Sequence, residues 1–360
     1  MDLNTEDKSK LISFFCNIKN KAEENHKNWK QKTNNNILII DGNNLFIRSF
    51  EATTYMNNNG DHTGGVVASL KSLGAAIKLL YPSRCIVVFD GVGGSYKRKK
   101  IYPEYKAHRA SKIRLNRVYD DNCSTETEDE SRLKQYLQFI NFLQTLPVNI
   151  MSIDHVEADD VIAYVALEYF RDSSKVNIMS TDRDFLQLCN SKIKVYSPTK
   201  KKLYGVHEVL EEYNIHPNNF VLFRAMDGDT SDNVNGIARA GNKTIVKHFP
   251  WLKEETIHTV DEIVSHAENL RNKFVVCENI VSNKSIIDRN MLLMQLKDTS
   301  LTAVAQLKCD EILKESKIPL LNRHAFFNLI KDGKMSNNMP NYTFWLDDCF
   351  NYLNSAVRGE

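Results

Sequence analysis

Residues 176–182 read "VNIMSTD" and residues 148–154 read "VNIMSID", two short apolar runs that each close on an aspartate. Two further runs share the form, "ILIID" (37–41) and "CIVVFD" (85–90). Each is short, rich in β-branched residues and apolar in a continuous run, the pattern of strands covered on both faces in a parallel sheet. Helical patterns lie between them: "VVASLKSLGAAIKLL" (66–80), "SRLKQYLQFINFLQTL" (131–146) and "ADDVIAYVALEYF" (158–170). This order predicts βαβ units with right-handed crossovers, and so an α/β fold with a central, mainly parallel sheet flanked by helices. Nothing beyond the heptad repeats, so the likeness of the two runs reflects a shared demand on buried strands.

Open parallel sheets carry their functional crevice at the carboxyl ends of the strands. Asp41, Asp90, Asp154 and Asp182 all fall there. A single aspartate at a strand end is usually a turn residue or a solvated charge; four converging strand ends make that coincidence much smaller. The stretch "VEADDVIAYVA" (156–166) adds Glu157, Asp159 and Asp160 at the start of an otherwise apolar helix. One acid there would complement the helix dipole. Three repel one another unless they spread into solvent or a cation sits among them. Glu157 and Asp160 lie about 60° apart around the helix, while Ala158, Ile162, Val165 and Tyr169 form the core face, so the first turn can aim two or three carboxylates into the crevice.

"STDRDF" supplies Asp182 and Asp184, whose i, i+2 spacing keeps both on one side of an extended segment. "MDGDTSDN" supplies Asp227, Asp229 and Asp232 around Gly228, and an acid-rich turn with a helix cap is the plainer reading of that cluster. Oxygen donors without a His or Cys cluster suit Mg²⁺ or Mn²⁺ rather than zinc. The carboxylates suffice for two ions, which in phosphoryl-transfer sites sit about 3.5–4 Å apart.

Charge of the other sign is concentrated in "YKRKKIYPEYKAHRASKIRLNRV" (96–118), which carries Lys97, Arg98, Lys99, Lys100, Lys106, Arg109, Lys112, Arg114 and Arg117 against Glu104, with Tyr96, Tyr102 and Tyr105 interleaved. The mixture suits phosphate neutralisation with base stacking. A charge run is more often a solvated face; this one leaves the Asp90 strand end directly, then turns acidic in "DDNCSTETEDE".

The chain's 360 residues, 42% hydrophobic, allow a sizeable core and more than one structural unit. Lys plus Arg (47) and Asp plus Glu (45) nearly cancel, so local charge, not net charge, points to partners. Seven scattered cysteines, odd in number and without a C-x-x-C pair, predict reduced thiols in a cytoplasm and no structural zinc. No apolar run approaches the roughly 20 residues of a membrane span, which predicts a soluble chain with no membrane contact. The N-terminus has an amphipathic pattern (Leu11, Ile12, Phe14, Phe15, Ile18) and a polar linker, without the order of a signal peptide. Beyond residue 206 strand signals weaken and helical ones dominate, as in "VHEVLEEY", "PNNFVLFRAM" and "KTIVKHF".

Taken in order, "IIDGNN", "VVFDG", "YPEYKAHR", "VEADD", "STDRDF" and "GDTSDN" resemble the structure-specific 5′ nuclease family: flap endonucleases, bacteriophage 5′-3′ exonucleases including the phage ribonuclease H type, and the 5′ nuclease domain of bacterial DNA polymerase I. The likeness runs from about residue 37 to 250. It implies a first metal cluster of Asp41, Asp90, Glu157 and Asp159 with Asp160 nearby, and a second of Asp182, Asp184, Asp229 and Asp232, holding two Mg²⁺ that Mn²⁺ can replace. Asp154 and Asp227 match no family ligand. It also implies a basic arch over about 94–132, in which Lys106 and Arg109 contact the scissile phosphate, Tyr105 stacks on a base, and Lys97, Arg98, Lys99 and Lys100 bind nucleic acid. A helix-hairpin-helix-like element follows: "GIARAGNKTI" keeps Gly236, Gly241, Lys243 and Thr244 but has Arg239 where the family has a glycine. Duplex phosphates and a monovalent cation belong there by resemblance, with Arg239 offering a direct phosphate contact.

The domain reading is an extension (1–36), an α/β nuclease core (37–205), a duplex-binding region (206–300) and a helical tail (301–360). The resemblance implies a monomeric 5′-3′ exonuclease or flap endonuclease in the cytoplasm, a host's cytoplasm if phage-encoded. It would hydrolyse DNA or RNA/DNA at 5′ flaps and ends during replication, leave 5′-phosphates, and meet replication proteins such as a single-strand-binding protein or sliding clamp. Two rivals remain, a PIN-like single-strand ribonuclease and a junction-binding protein that has lost catalysis.

Overall fold

The computed structural model describes residues 35–107, 125–173, 175–298, 301–315 and 318–358. The first half alternates strand and helix: β1 (Asn36–Asp41), α1 (Gly42–Ala52), α2 (Gly64–Leu80), β2 (Arg84–Asp90), α3 (Tyr96–Ile101), α4 (Thr125–Leu143), β3 (Asn149–Ile153), α5 (Ala158–Tyr164) with a π-helical turn (Val165–Tyr169), β4 (Lys175–Met179), β5 (Ile193–Ser197) and β6 (Lys202–Tyr204). The six strands pair in the order β3-β2-β1-β4-β5-β6. All neighbours are parallel except β6, which returns antiparallel to β5. Ile39 of β1 sits between Ile86 and Ile178, at the centre of the sheet.

Alternate residues of β1 feed two cores. Leu38 and Ile40 pack with Phe46, Val66, Leu70 and Phe139 on one face, whereas Ile37 and Ile39 pack with Val161, Ile162 and Phe223 on the other. Helices on both faces explain why these strands read as continuous apolar runs. Two expectations change. The sheet has two more strands, "IKVYS" and "KLY", whose lysines break the apolar pattern. And "VNIMSID" is an edge strand on which Ser152 is exposed, while its near twin lies beside β1, so similar words occupy different environments. Strand β4 ends at Met179, leaving Asp182 on the loop beyond it.

The second half is helical: α6 (Val206–Tyr213), α7 (Phe220–Asp227), a two-stranded hairpin of β7 (Gly228–Asp229) and β8 (Val234–Asn235), α8 (Asn242–His248), α9 (Val260–Glu268), α10 (Val275–Ser282), α11 (Lys284–Met294), α12 (Ala303–Glu315), α13 (Arg323–Asp332) and α14 (Tyr342–Arg358). Helices α13 and α14 fold back on the first core through Phe326, Ile330, Leu346, Phe350 and Leu353. The five described cysteines, Cys85, Cys189, Cys277, Cys309 and Cys349, are buried free thiols, as expected. Among the described residues no helix is long and apolar enough to cross a membrane. The N-terminal amphipathic pattern, Cys16, Cys123, Arg109, Lys112, Arg114 and Arg117 lie outside the described residues.

Candidate metal centre

The crevice starts at the end of β1. Asp41 terminates the strand and caps α1 by accepting a hydrogen bond from the Asn44 amide at 2.9 Å; its other oxygen accepts from Ser180 Oγ at 3.0 Å. Asn44 reaches across to the Thr181 amide and hydroxyl, tying the β1 and β4 ends together. Asp90, at the end of β2, accepts at 2.7 Å from the Ala158 amide, the first residue of α5. A strand-end acid therefore caps this helix from outside, which releases Glu157 from that duty although Glu157 occupies the cap position.

Glu157 is 1% exposed and turns away from the helix. It accepts from Arg98 Nη1, from Lys106 Nζ at 2.7 Å and from Tyr105 Oη at 3.3 Å. Asp160 is gripped by the same Arg98 through two hydrogen bonds of 2.8 and 3.0 Å. Two sequence expectations, for Arg98 and Tyr105, are corrected here. Arg98 is 7% exposed and spends its guanidinium on Glu157, Asp160 and the Leu293 carbonyl, so it is an internal counter-ion and not a nucleic-acid contact. Asp160 faces that arginine. Tyr105 is 4% exposed with its hydroxyl on Glu157 and Asp232, so no base can stack on it. Burial, with Glu157 and Asp232 beside it, pushes the Tyr105 phenol up and keeps it a neutral donor. Lys97, Lys99 and Lys100 are exposed on α3, as a phosphate-binding role requires.

Past β4, Asp182 caps a short 3₁₀ turn (Arg183–Leu188) by accepting from the Asp184 amide at 2.8 Å. Asp229, in the β7–β8 hairpin, accepts from the Ser231 amide and hydroxyl. Between Asp184 and Asp229 lies Arg224, 0% exposed, a residue the sequence reading passed over. Its Nε donates to Asp184 at 2.6 Å, its Nη2 to Asp229 at 2.5 Å and its Nη1 to the Gly228 carbonyl at 2.7 Å. A signal was available: one charge inside the apolar helix "FVLFRAMD" must be paired when that helix is buried. Asp227 joins Arg224 and Arg183, and Asp154 is exposed just past the end of β3.

The root of the basic segment is pinned to this loop. The Lys106 amide donates to the Asp232 carbonyl at 2.8 Å and Asn233 Nδ2 donates to the Glu104 carbonyl at 2.8 Å. Lys106 itself takes a left-handed φ of 58°, which turns the chain so that its ammonium meets Glu157. On the other side Tyr136 of α4 donates to Asn43, which donates to Asp90.

Electrostatics separate the carboxylates into two kinds. Burial, with Asp90 beside it, pushes Asp41 up to about 6. Burial, with Asp184, Asp229 and Asp232 nearby, pushes Asp182 up to about 7. Asp159 is raised well above the carboxylate range by burial, Asp182 and Asp41. Asp184 is raised by burial in spite of Arg224. At Asp229, burial is outweighed by the Ser231 hydrogen bonds and Arg224, and the carboxyl is held low. Among the described residues no three His, Cys, Asp or Glu side chains already converge as a coordination shell. The hydrogen bonds give the reason: Glu157, Asp184 and Asp229 are turned toward Arg98, Lys106 and Arg224. An oxygen-only donor set whose negative charge is costly enough to raise four carboxyls fits a hard divalent cation.

The hairpin region follows α7. Gly228 takes φ 80°, and a Cβ there would lie 2.4 Å from the Gly236 nitrogen, so glycine lets the two short strands cross. Arg239 stands at φ 66°. A non-glycine residue reaches this left-handed region at a cost, and its side chain is exposed. Gly241 precedes α8 and Lys243 is exposed on its first turn.

An acid-lined crevice thus lies at the carboxyl ends of a parallel sheet, bordered by a basic segment and followed by a helical hairpin region. Residues 36–214 match the model of the 5′-3′ exonuclease N-terminal resolvase-like domain. The chain is 29% identical over 240 residues to a 5′-3′ exonuclease of Aquifex aeolicus, covering 66% of this chain and 75% of that one. It is 26% identical over 294 residues to the flap endonuclease of Escherichia phage T5, covering 78% and 90%. A solved phage T5 protein co-crystallised with metal ions shares the fold with a TM-score of 0.57 at 22% identity, over 83% of this chain and 98% of that one. Residues 36–214 belong to the 5′-3′ exonuclease N-terminal domain family, and the relatives that match the chain more widely include a 5′-3′ exonuclease and a flap endonuclease.

Proposed function

We propose that this chain is a two-cation 5′-3′ exonuclease and flap endonuclease that hydrolyses phosphodiesters at single-strand to duplex junctions, with Mg²⁺ as the working metal. The observation that carries the reading is the crevice itself, where Asp41, Asp159 and Asp182 are raised by burial and by one another while Lys106 stands at its edge, 2.7 Å from Glu157. Asp41, Asp90, Glu157 and Asp159 would hold the first ion, and Asp182, Asp184, Asp229 and Asp232 the second. Bound there, the ions would supply positive charge at the scissile phosphate and a water activated for in-line attack.

The chain's own groups do the rest. Lys106 presents an ammonium to the developing negative charge, held in place by Glu157 and by its anchored backbone. Arg109 is proposed for the same role. Lys97, Lys99 and Lys100 draw the single strand toward the crevice. Arg239, Gly241, Lys243 and Thr244 grip the duplex phosphates on the far side, the place of the proposed monovalent cation. Product strands carry a 5′-phosphate and a 3′-hydroxyl. Removal of RNA primers or flaps in replication is the task that fits, with single-strand-binding protein or sliding clamp as partners. Every carboxylate position the family motif calls for is occupied, which counts against an inactive binding protein. The long basic segment and the hairpin region count against a simple single-strand ribonuclease. Cleavage of a labelled 5′-flap substrate in Mg²⁺ and in EDTA tests the reading; absence of metal-dependent cleavage at the junction would sink it.

A further inference from the structure

We propose that Arg224 is a built-in cation of the second metal cluster: it positions Asp184 and Asp229 in the metal-free protein, and uptake of the second divalent ion is a competition with its guanidinium. The inference rests on the two-cation reading of the crevice. Arg224 is 0% exposed, in a helix otherwise apolar up to Asp227. Its donors go to Asp184, Asp229, Asp227 and the Gly228 carbonyl, so the fork spans the 3₁₀ turn after β4 and the β7–β8 hairpin. These two segments are far apart in sequence and their carboxylates repel, so a planar fork with several donors holds them where a single ammonium could not.

The same contacts have a cost for metal binding. A divalent ion that takes oxygens from Asp184 and Asp229 must displace the arginine's hydrogen bonds and then stand beside a fixed positive charge. The first cluster differs. There one acid, Glu157, is braced by cations, Arg98 and Lys106, while Asp41 and Asp90 accept hydrogen bonds from neutral donors, Asn44 and Ser180 for the first, Asn43 and the Ala158 amide for the second. The second ion is therefore the weaker and more exchangeable one because of Arg224.

The test is Mn²⁺ binding to the full chain, read by calorimetry and by the electron paramagnetic signal of free Mn²⁺, together with melting in EDTA and in saturating Mn²⁺. Wild type is expected to take up two ions, the second at least tenfold more weakly. Arg224→Met is expected to tighten the second site at least tenfold and to lose far more melting temperature in EDTA than in Mn²⁺. Arg224→Lys keeps the charge but loses the fork, so its EDTA stability is expected to fall between those of wild type and the methionine variant and its second site to tighten only a few-fold; it decides the matter if the Met variant does not fold. Two ions bound with an unchanged second affinity in the lysine variant, or equal melting losses with and without Mn²⁺, would overturn the role of Arg224 while leaving the two-cation centre standing. No Mn²⁺ uptake by wild type would overturn both.

Discussion

Asp182→Asn removes one negative charge from the crowded crevice and keeps the backbone arrangement, because an asparagine oxygen can still accept the Asp184 amide that Asp182 accepts at 2.8 Å. The charge is expensive. Burial and the neighbouring Asp184, Asp229 and Asp232 move this carboxyl from 3.8 to about 7, and a tenfold change in a proton equilibrium is about 1.4 kcal/mol, so ionising Asp182 in the metal-free fold costs on the order of 4 kcal/mol. The sign follows from linkage. A carboxyl raised on folding contributes stability below pH 4 that disappears as pH rises through about 7, so at pH 8 the metal-free wild type bears the whole cost. Its neighbours relax when one charge is removed, so the gain in the variant is expected at roughly 1–3 kcal/mol.

Urea unfolding at pH 8 in EDTA should place the Asp182→Asn midpoint above wild type with an unchanged slope. Mg²⁺ at a hundred times its dissociation constant adds about 2.7 kcal/mol to wild type and much less to the variant. Cleavage of a 5′-flap substrate should be abolished while flap binding is largely retained. A variant less stable than wild type in EDTA, or one that loses binding as fully as cleavage, would show that Asp182 is a structural acid and refute the charge argument.

Lys243→Ala should weaken duplex binding and lower the salt slope of the association constant by about 1; an unchanged slope removes Lys243 from the phosphate contacts. Arg239→Gly relieves the left-handed strain at φ 66° and should raise stability by up to about 1 kcal/mol, while duplex affinity and salt slope fall. Opposite movement of stability and binding is the diagnostic, and equal loss of both would make Arg239 a structural residue. Gly228→Ala meets the Gly236 nitrogen at 2.4 Å with a φ of 80°, and chemical denaturation should show a loss of about 3 kcal/mol or more. A near-neutral result would mean that the β7–β8 hairpin can open without loss.

Much of the fold could be read from sequence because a doubly covered parallel strand leaves a local mark, a short run of buried residues closing on a polar one. Asp41 and Asp90 were legible for the same reason: they stand where such runs stop. The edge position of "VNIMSID" was not, since neighbour order in a sheet is a long-range property and its residues are nearly those of the inner strand. The short strands "IKVYS" and "KLY" were missed because their half-buried lysines interrupt the apolar signal.

The acids show a sharper limit. The motifs gathered the carboxylates, but only tertiary contacts show which of them meet protein cations. Asp159 and Asp160 are adjacent and chemically alike; one faces Asp182 and Asp41, the other a bidentate arginine. In "YKRKK" four consecutive cations look equivalent, yet Arg98 alone is buried, on the side of α3 that leads to buried Tyr105. Arg224 was hidden by the opposite circumstance, one charge in a run that otherwise reads as core. Both arginines lie beneath the site, not on the surface where nucleic acid would meet them. The fold keeps its acids close by burying permanent cations beside them, and Asp41, Asp159 and Asp182, which no arginine grips, are left with raised proton affinity, as is Asp184 in spite of Arg224. That division accounts for both the compactness of the acid cluster and its remaining demand for divalent charge, and charge-neutral substitution on either side of it should be felt in metal binding first and in the fold second.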